Sequence, residues 1–150
     1  MEARFTVEIE APVETVFYWA VQPEAVMQWL EHLTEYEFLN EGDEWVGTKV
    51  RQIWDDDEDS ELLGEIKEFE ELIRFAIELE GKKFKVSVGY DFEDLDGRTR
   101  LSQHTRFDYK GMTKLTAKTM GSKVQASYEN QAKSNLLRLI ELAEADDSNS

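Results

Sequence analysis

His32 and His104 are the only imidazoles in a chain of 150 residues, and imidazole is the side chain best suited to proton transfer near neutral pH. A general base must reach its substrate inside a cleft. His104 has the parity of Ser102 and Arg106, opposite to Leu101 and Phe107, so it is expected on the outer face of a strand. His32 follows a short helix and at most borders a pocket mouth. No HExxH motif occurs, and two isolated histidines make a poor zinc site. The acidic run DDDEDSE places Asp55, Asp57 and Asp59 at alternating positions. A calcium loop needs glycine at its sixth position and glutamate at its twelfth, where this chain has Ser60 and Ile66. The run reads as a solvated hairpin tip. There is no GxSxG elbow, no glycine-rich phosphate loop and no cysteine. With 33 carboxylates, choosing any two as an acid–base pair is arbitrary. The sequence assigns no catalytic residue, no metal and no cofactor.

Amides and aromatic rings on alternating positions are the better candidates. Gln52 and Trp54 share a strand face with Val50. Phe75 follows on the next apolar face, Tyr90 and Phe92 on the one after, and Gln103, Thr105 and Phe107 on the last. Together they form an aromatic wall with a few polar groups. An unpaired buried amide costs about 1–3 kcal/mol, so Gln52 and Gln103 need partners. A ligand oxygen, water, a helix residue such as Gln125 or a neighbouring strand would each serve, and internal pairing is the commoner solution. Trp54 and Tyr90 suit either an ordinary core or the wall of a pocket for an apolar ligand. Met120, from the C-terminal segment, completes the expected ligand-binding set.

Composition narrows the class. An apolar fraction of 41% is too high for a disordered chain. A net charge of −16 repels phosphate backbones, which argues against nucleic acid and equally against anionic membrane. No run approaches the ~20 apolar residues of a span, so no stable membrane insertion is expected. No signal-peptide pattern is visible over residues 1–20, and a cytoplasmic protein is the default. Oligomeric state is left open.

The elements that must position this wall are legible from periodicity. Phe5, Val7 and Ile9 alternate as a half-buried strand. Pro12 suits a first helical position and Pro23 restarts the pattern, giving two short helices. From Leu33 to Tyr109 period-two alternation dominates, including a strand of unclear parity over Leu62 to Phe69 that invites a bulge. Asp96-Gly97 marks a hairpin. After Gly111 the pattern is helical, with Leu136, Leu139, Ile140 and Ala143 as a stripe and Gly121 as a candidate bend. Seven strands with short turns imply an antiparallel sheet in an α+β fold. One long helix is far narrower than that sheet, so the sheet must be curved and wrapped around it, leaving a cavity unless large side chains fill it. We expect one domain over 1–145 and a polar tail over 146–150.

The opening FTVEIEAPVETVFYWAVQPEAVMQWL resembles that of the START-related, birch-pollen-allergen-like superfamily known as SRPBCC. The matching residues are Ala11-Pro12, Val16-Phe17, and Pro23 through Trp29-Leu30. Val46-Gly47-Thr48, Gly64-Glu65-Ile66 and Gly97-Arg98-Thr99-Arg100-Leu101 match further on, as does the long C-terminal helix. One departure is Glu70-Glu71, where many members have a proline. The resemblance implies a helix-grip fold with a pocket for a small apolar molecule. The superfamily includes polyketide cyclases, lipid-transfer and coenzyme-Q-binding proteins, and activators of a heat-shock chaperone ATPase. The first functional reading is therefore a soluble binding protein for a small apolar or aromatic molecule. The alternatives are a polyketide cyclase/dehydrase-like enzyme and a protein-interaction module that docks a protein partner. Whether turnover occurs is left open.

Overall fold

Strands β1 (Glu2–Ile9) and β2 (Leu33–Phe38) form the two opposite edges of one sheet in the computed structural model. Two short helices, α1 (Val13–Val21) and α2 (Pro23–Trp29), carry the chain from one edge to the other. Then β3 (Lys49–Trp54), β4 (Ser60–Glu70), β5 (Arg74–Glu80), β6 (Phe84–Asp94) and β7 (Thr99–Tyr109) run back across the sheet. The helix α3 (Lys114–Ser148) follows. The strand order is β1-β7-β6-β5-β4-β3-β2, antiparallel throughout. This is the helix-grip fold, a curved seven-stranded sheet with a long C-terminal helix. The structure describes residues 2–40, 42, 44–55, 60–111 and 114–148, with residues 114–125 as helix backbone only. Among them no helix is long and apolar enough to cross a membrane.

Pro12, expected from sequence at the first helical position, is instead the N-cap of α1, which begins at Val13. Its carbonyl accepts from the backbone N–H groups of Thr15 and Val16 at 3.0 and 3.1 Å. Pro23 does open α2, where its missing N–H is one that the helix leaves unpaired anyway. The pair is tied inward by its tryptophans. Trp29 Nε1 donates to the Trp19 carbonyl at 2.7 Å, and Trp19 Nε1 donates to Asp146 Oδ2 at 2.9 Å. The helix reaches Ser148, three residues into the segment 146–150 read from sequence as a polar tail, and it passes position 121 without a break. Its inward stripe is Ala132, Leu136, Leu139 and Ala143, at spacings of four, three and four.

The sheet curves for identifiable reasons. The register of β4 on β5 shifts between Ile66 and Glu68, which carries Leu62 and Ile66 inward before the shift and Phe69 inward after it. Gly64 lies between buried Val50 and Leu79 on the concave face. A Cβ at Gly64 would stand 1.8 Å from the Glu78 carbonyl oxygen, so β5 closes over a position that tolerates no side chain. Asp96 and Gly97 have φ of 63° and 100°, which a tight β6–β7 hairpin of the primed type requires. Ile73 shares the parity of Phe75 but precedes β5 and is exposed.

The convex face carries the charge. Arg51 pairs with Glu35, Glu37 and Glu61 across three strands, and Arg100 bridges Glu8 and Glu93. Exposed pairs of this kind contribute roughly 0–1 kcal/mol each, so the apolar concave side holds the fold. We predict that Gly64→Ala lowers stability by at least about 2 kcal/mol, because the obstructing atom is backbone and cannot rotate away. Urea unfolding measures this, and an unchanged midpoint would show that the sheet does not depend on the close approach.

Candidate functional site

The concave face and α3 border a cavity of about 340 Å³ that is partly open to solvent. One end of the sheet–helix space is filled by α1 and α2, whose Ala20, Val26, Trp29 and Leu30 reach its floor. Phe75, Ile77 and Leu79 of β5 and Val86 and Val88 of β6 form the back wall. Phe84 and Tyr109 border it from the opposite end, with Tyr109 39% exposed. From α3 come Tyr128, Gln131, Ala132 and Asn135. None of the described lining residues carries a charge, in a chain in which 33% of residues do.

The polar groups in this wall are paired within it. Tyr36 and Gln52 stand directly opposite each other on β2 and β3, and Tyr90 and Gln103 do so on β6 and β7. Trp54 Nε1 donates to Gln52 Oε1 at 3.0 Å. An indole N–H is only a donor, so this bond takes the amide oxygen and leaves the amide nitrogen free to face Tyr36, for which Gln52 is the hydrogen-bonding neighbour. Gln103 Nε2 donates to the Tyr90 hydroxyl at 3.1 Å. Thr105, 3% exposed, hydrogen-bonds Tyr128. Burial pushes the Tyr36 and Tyr90 phenols well above the usual tyrosine range, against the smaller opposing effects of Gln52 and Gln103. Tyr90 is raised further by the neighbouring Tyr128 and Tyr36 phenols, which places the three hydroxyls within electrostatic reach. Burial raises Tyr128 too. All three are neutral hydrogen-bonding groups at physiological pH.

Of the residues singled out by sequence, Gln52, Trp54, Phe75, Tyr90, Gln103 and Thr105 line the cavity together, as does Phe107. Phe92 does not. It lies two residues along β6 from Tyr90, toward the end that α1 occupies, and its ring packs 4.9 Å from that of Phe17. The side chains of Met120 and Gln125 lie outside the described residues, as do residues 56–59 of the acidic run. His104 is on the convex face, in register with Arg4 and Gly89. Its Nε2 is buried without a hydrogen bond, 3.9 Å from Glu2 Oε1, so it is less open than a plain surface residue. His32 sits outside the cavity with Nδ1 at 3.1 Å from Asp55 Oδ1. Next to it, Glu31 ties the α2–β2 turn to α3: Gln131 Nε2 donates to Glu31 Oε2 at 2.9 Å, and the Glu31 N–H donates to Asn135 Oδ1 at 3.4 Å. No group of three or more potential metal-binding side chains occurs among the described residues.

Sequence reading missed Tyr36, Trp29, Phe84, Tyr109 and the α3 residues Tyr128, Gln131, Ala132 and Asn135. Phe84 and Tyr109 carried a signal, since they share parity with Tyr90 and Phe107. Tyr36 alternates with Glu35 and Glu37, which marks a half-buried strand but not what its inner face meets.

Comparison with known proteins agrees with this architecture. Residues 1–141 match the model of the family described as polyketide cyclase / dehydrase and lipid transport, and the chain belongs to that family. Among solved structures it resembles a Thermus thermophilus protein at 21% identity and TM-score 0.77, covering 97% of this chain and 99% of that one. It also resembles the Zhui aromatase/cyclase from a Streptomyces species, at 18% identity and TM-score 0.78, over 96% and 93% of the two chains. A START superfamily protein from Mycobacterium smegmatis aligns at 18% identity and TM-score 0.72, over 94% and 98%. At such identities the likeness is one of fold. No curated protein matches in sequence.

The buried phenols make a pH prediction. In the unfolded chain they ionise near the ordinary value of about 10, and in the native protein above it. Above about pH 10 the native state therefore holds more protons than the unfolded state, and stability falls as pH rises. The loss approaches about 1.4 kcal/mol per pH unit for each phenol and is absent at neutral pH. Urea midpoints from neutral to alkaline pH should fall less steeply in a Tyr36→Phe, Tyr90→Phe double variant. An equally steep fall would place the alkaline sensitivity elsewhere.

Proposed function

We propose that this chain is a carrier or sensor that binds a small, uncharged apolar or aromatic molecule between its sheet and α3. The observation that carries the reading is the cavity of about 340 Å³ whose described lining bears no charge. That volume lies at the lower end of the range for small-molecule pockets. Aromatic walls with a few placed polar groups are the usual lining of such sites. Gln52, Trp54, Phe75, Tyr90, Gln103 and Thr105 are the contacts we assign to the ligand. Family membership supports the same reading at a coarser level, since the family's description joins lipid transport with cyclase and dehydrase chemistry. Of these two, carriage fits the wall better. Acid–base turnover needs a group that changes protonation beside the substrate. The described lining offers phenols held in the neutral form, amides and hydroxyls.

Paired fluorescent probes test this. Phenylnaphthylamine is neutral, and its sulfonate differs by one anionic group. The neutral probe should bind and change Trp54 emission. The sulfonate should bind at least about a hundredfold more weakly, because an anion buried without a partner is strongly penalised. Equal binding of the two would contradict an uncharged site between sheet and helix, and no binding of either would remove the carrier reading.

A further inference from the structure

The two edge strands differ in what they offer a further strand. We propose that β1 pairs antiparallel with β1 of a second copy, with Thr6 on the two-fold axis and Arg4 of each copy opposite Glu8 of the other. As the end strand of the sheet, β1 is bonded on one side to β7. Over residues 3–9 its other side forms no hydrogen bond with any described residue. Such a bond appears only past the strand, where the Glu10 N–H donates to Glu144 Oε1 at 3.1 Å. Arg4, Thr6 and Glu8 are exposed on the convex face, and Phe5 and Val7 are only half-buried on the other. Unpaired N–H and C=O groups along an edge are a template for another strand.

Charge selects the occupant. Arg51, Arg74, Arg98, Arg100, Arg106 and Arg138 each hold a carboxylate. Arg4 holds none among the described residues, in a chain of net charge −16. Across the sheet Glu93, Arg100 and Glu8 stand in one row and alternate in sign up to the open edge. The next place in that row suits a cation, and the place beyond Arg4 suits an anion. In an antiparallel pair the two-fold axis passes through a residue, because axes between residues would mix the two faces. Centring it on Thr6 sets Arg4 opposite Glu8 twice, Thr6 opposite Thr6 and Phe5 opposite Val7. Centring it on Arg4 sets that residue against itself, and centring it on Phe5 sets Glu2 against Glu8. Centring it on Val7 pairs Arg4 with Glu10, outside the strand. Opposite charges and Thr–Thr pairs stabilise facing strands, and like charges destabilise them. At β2, axes through Glu35, Tyr36 or Glu37 each set acid against acid. No residue of β1 lines the cavity, so this contact is independent of the binding reading. A single strand pair is a small interface, so monomer and dimer exchange.

The chain has no cysteine, which makes crosslinking decisive. Directly opposite residues have Cα atoms about 4.5–5.5 Å apart, within disulfide range. Thr6→Cys should therefore oxidise to a covalent dimer in a glutathione buffer, roughly tenfold or more faster than Arg4→Cys or Glu8→Cys alone. An equimolar mixture of the latter two should crosslink one to the other. Sedimentation of the unaltered chain at physiological salt should show a mass that rises with concentration from 17.5 kDa toward twice that. Arg4→Glu should stay monomeric with an unchanged urea midpoint. A single monomer mass up to millimolar protein, equal crosslinking at all three positions, or an Arg4→Glu chain that still dimerises would overturn the proposal. Growth beyond a dimer would overturn it too, since that needs a second, different contact.

Discussion

A helix about 10–12 Å across cannot cover a seven-stranded sheet roughly 30 Å wide, and the rest of this structure follows from that mismatch. The sheet has to curl. Gly64 lets β5 approach β4 where no side chain would fit, and the register shift between Ile66 and Glu68 turns β4 without exposing its apolar residues. Even a curled sheet leaves more concave surface than α3 covers. The helices α1 and α2 fill one end, with Val16, Val21 and Ala25 fully buried. Toward the other end, where Phe84 and Tyr109 border it, the described residues leave the cavity. The crossover that joins the two edge strands and the plug that makes the pocket finite are therefore the same piece of chain.

Charge is distributed by the same geometry. A third of the residues are charged, yet the described wall of the cavity has none. Strand alternation sends Glu35, Arg51 and Glu61 to the convex side, while Tyr36, Gln52 and Leu62, each one residue along, turn inward. On the convex side the ions stay hydrated and pair cheaply. On the concave side an ion would lose its water with little in return. What polarity remains inside is carried by amides, hydroxyls and an indole, paired along β3, between β6 and β7, and between β7 and α3.

How much of this was legible in sequence depends on the distance over which each residue's position is decided. Parity is local, so the shared inward face of Gln52, Trp54, Phe75, Tyr90, Gln103 and Thr105 could be read directly, as could the outward placement of His104. Depth along a strand is not local. Phe92 has the same parity as Tyr90 but lies at the end that Phe17 fills, and only the packing of α1 distinguishes the two. Contributions from helices were harder still. Gln131 and Asn135 line the cavity because Glu31 joins their stretch of α3 to the α2–β2 turn, a contact across about a hundred residues that no periodicity announces. Asp146 looked like part of a frayed terminus for the same reason, its partner Trp19 being at the other end of the chain.

The two Tyr–Gln pairs differ in how firmly they are set. At Gln52 the neighbouring indole can only donate, so the amide has one orientation and the Tyr36 proton one sense. At Gln103 no donor-only neighbour fixes the amide among the described residues, and turning it by half a rotation would let Tyr90 donate to the amide oxygen instead. The β2–β3 pair is therefore held by a third group, the Trp54 indole, and the β6–β7 pair is set by its own two members. A wall of this kind combines a constant polar anchor with an adaptable one, both uncharged.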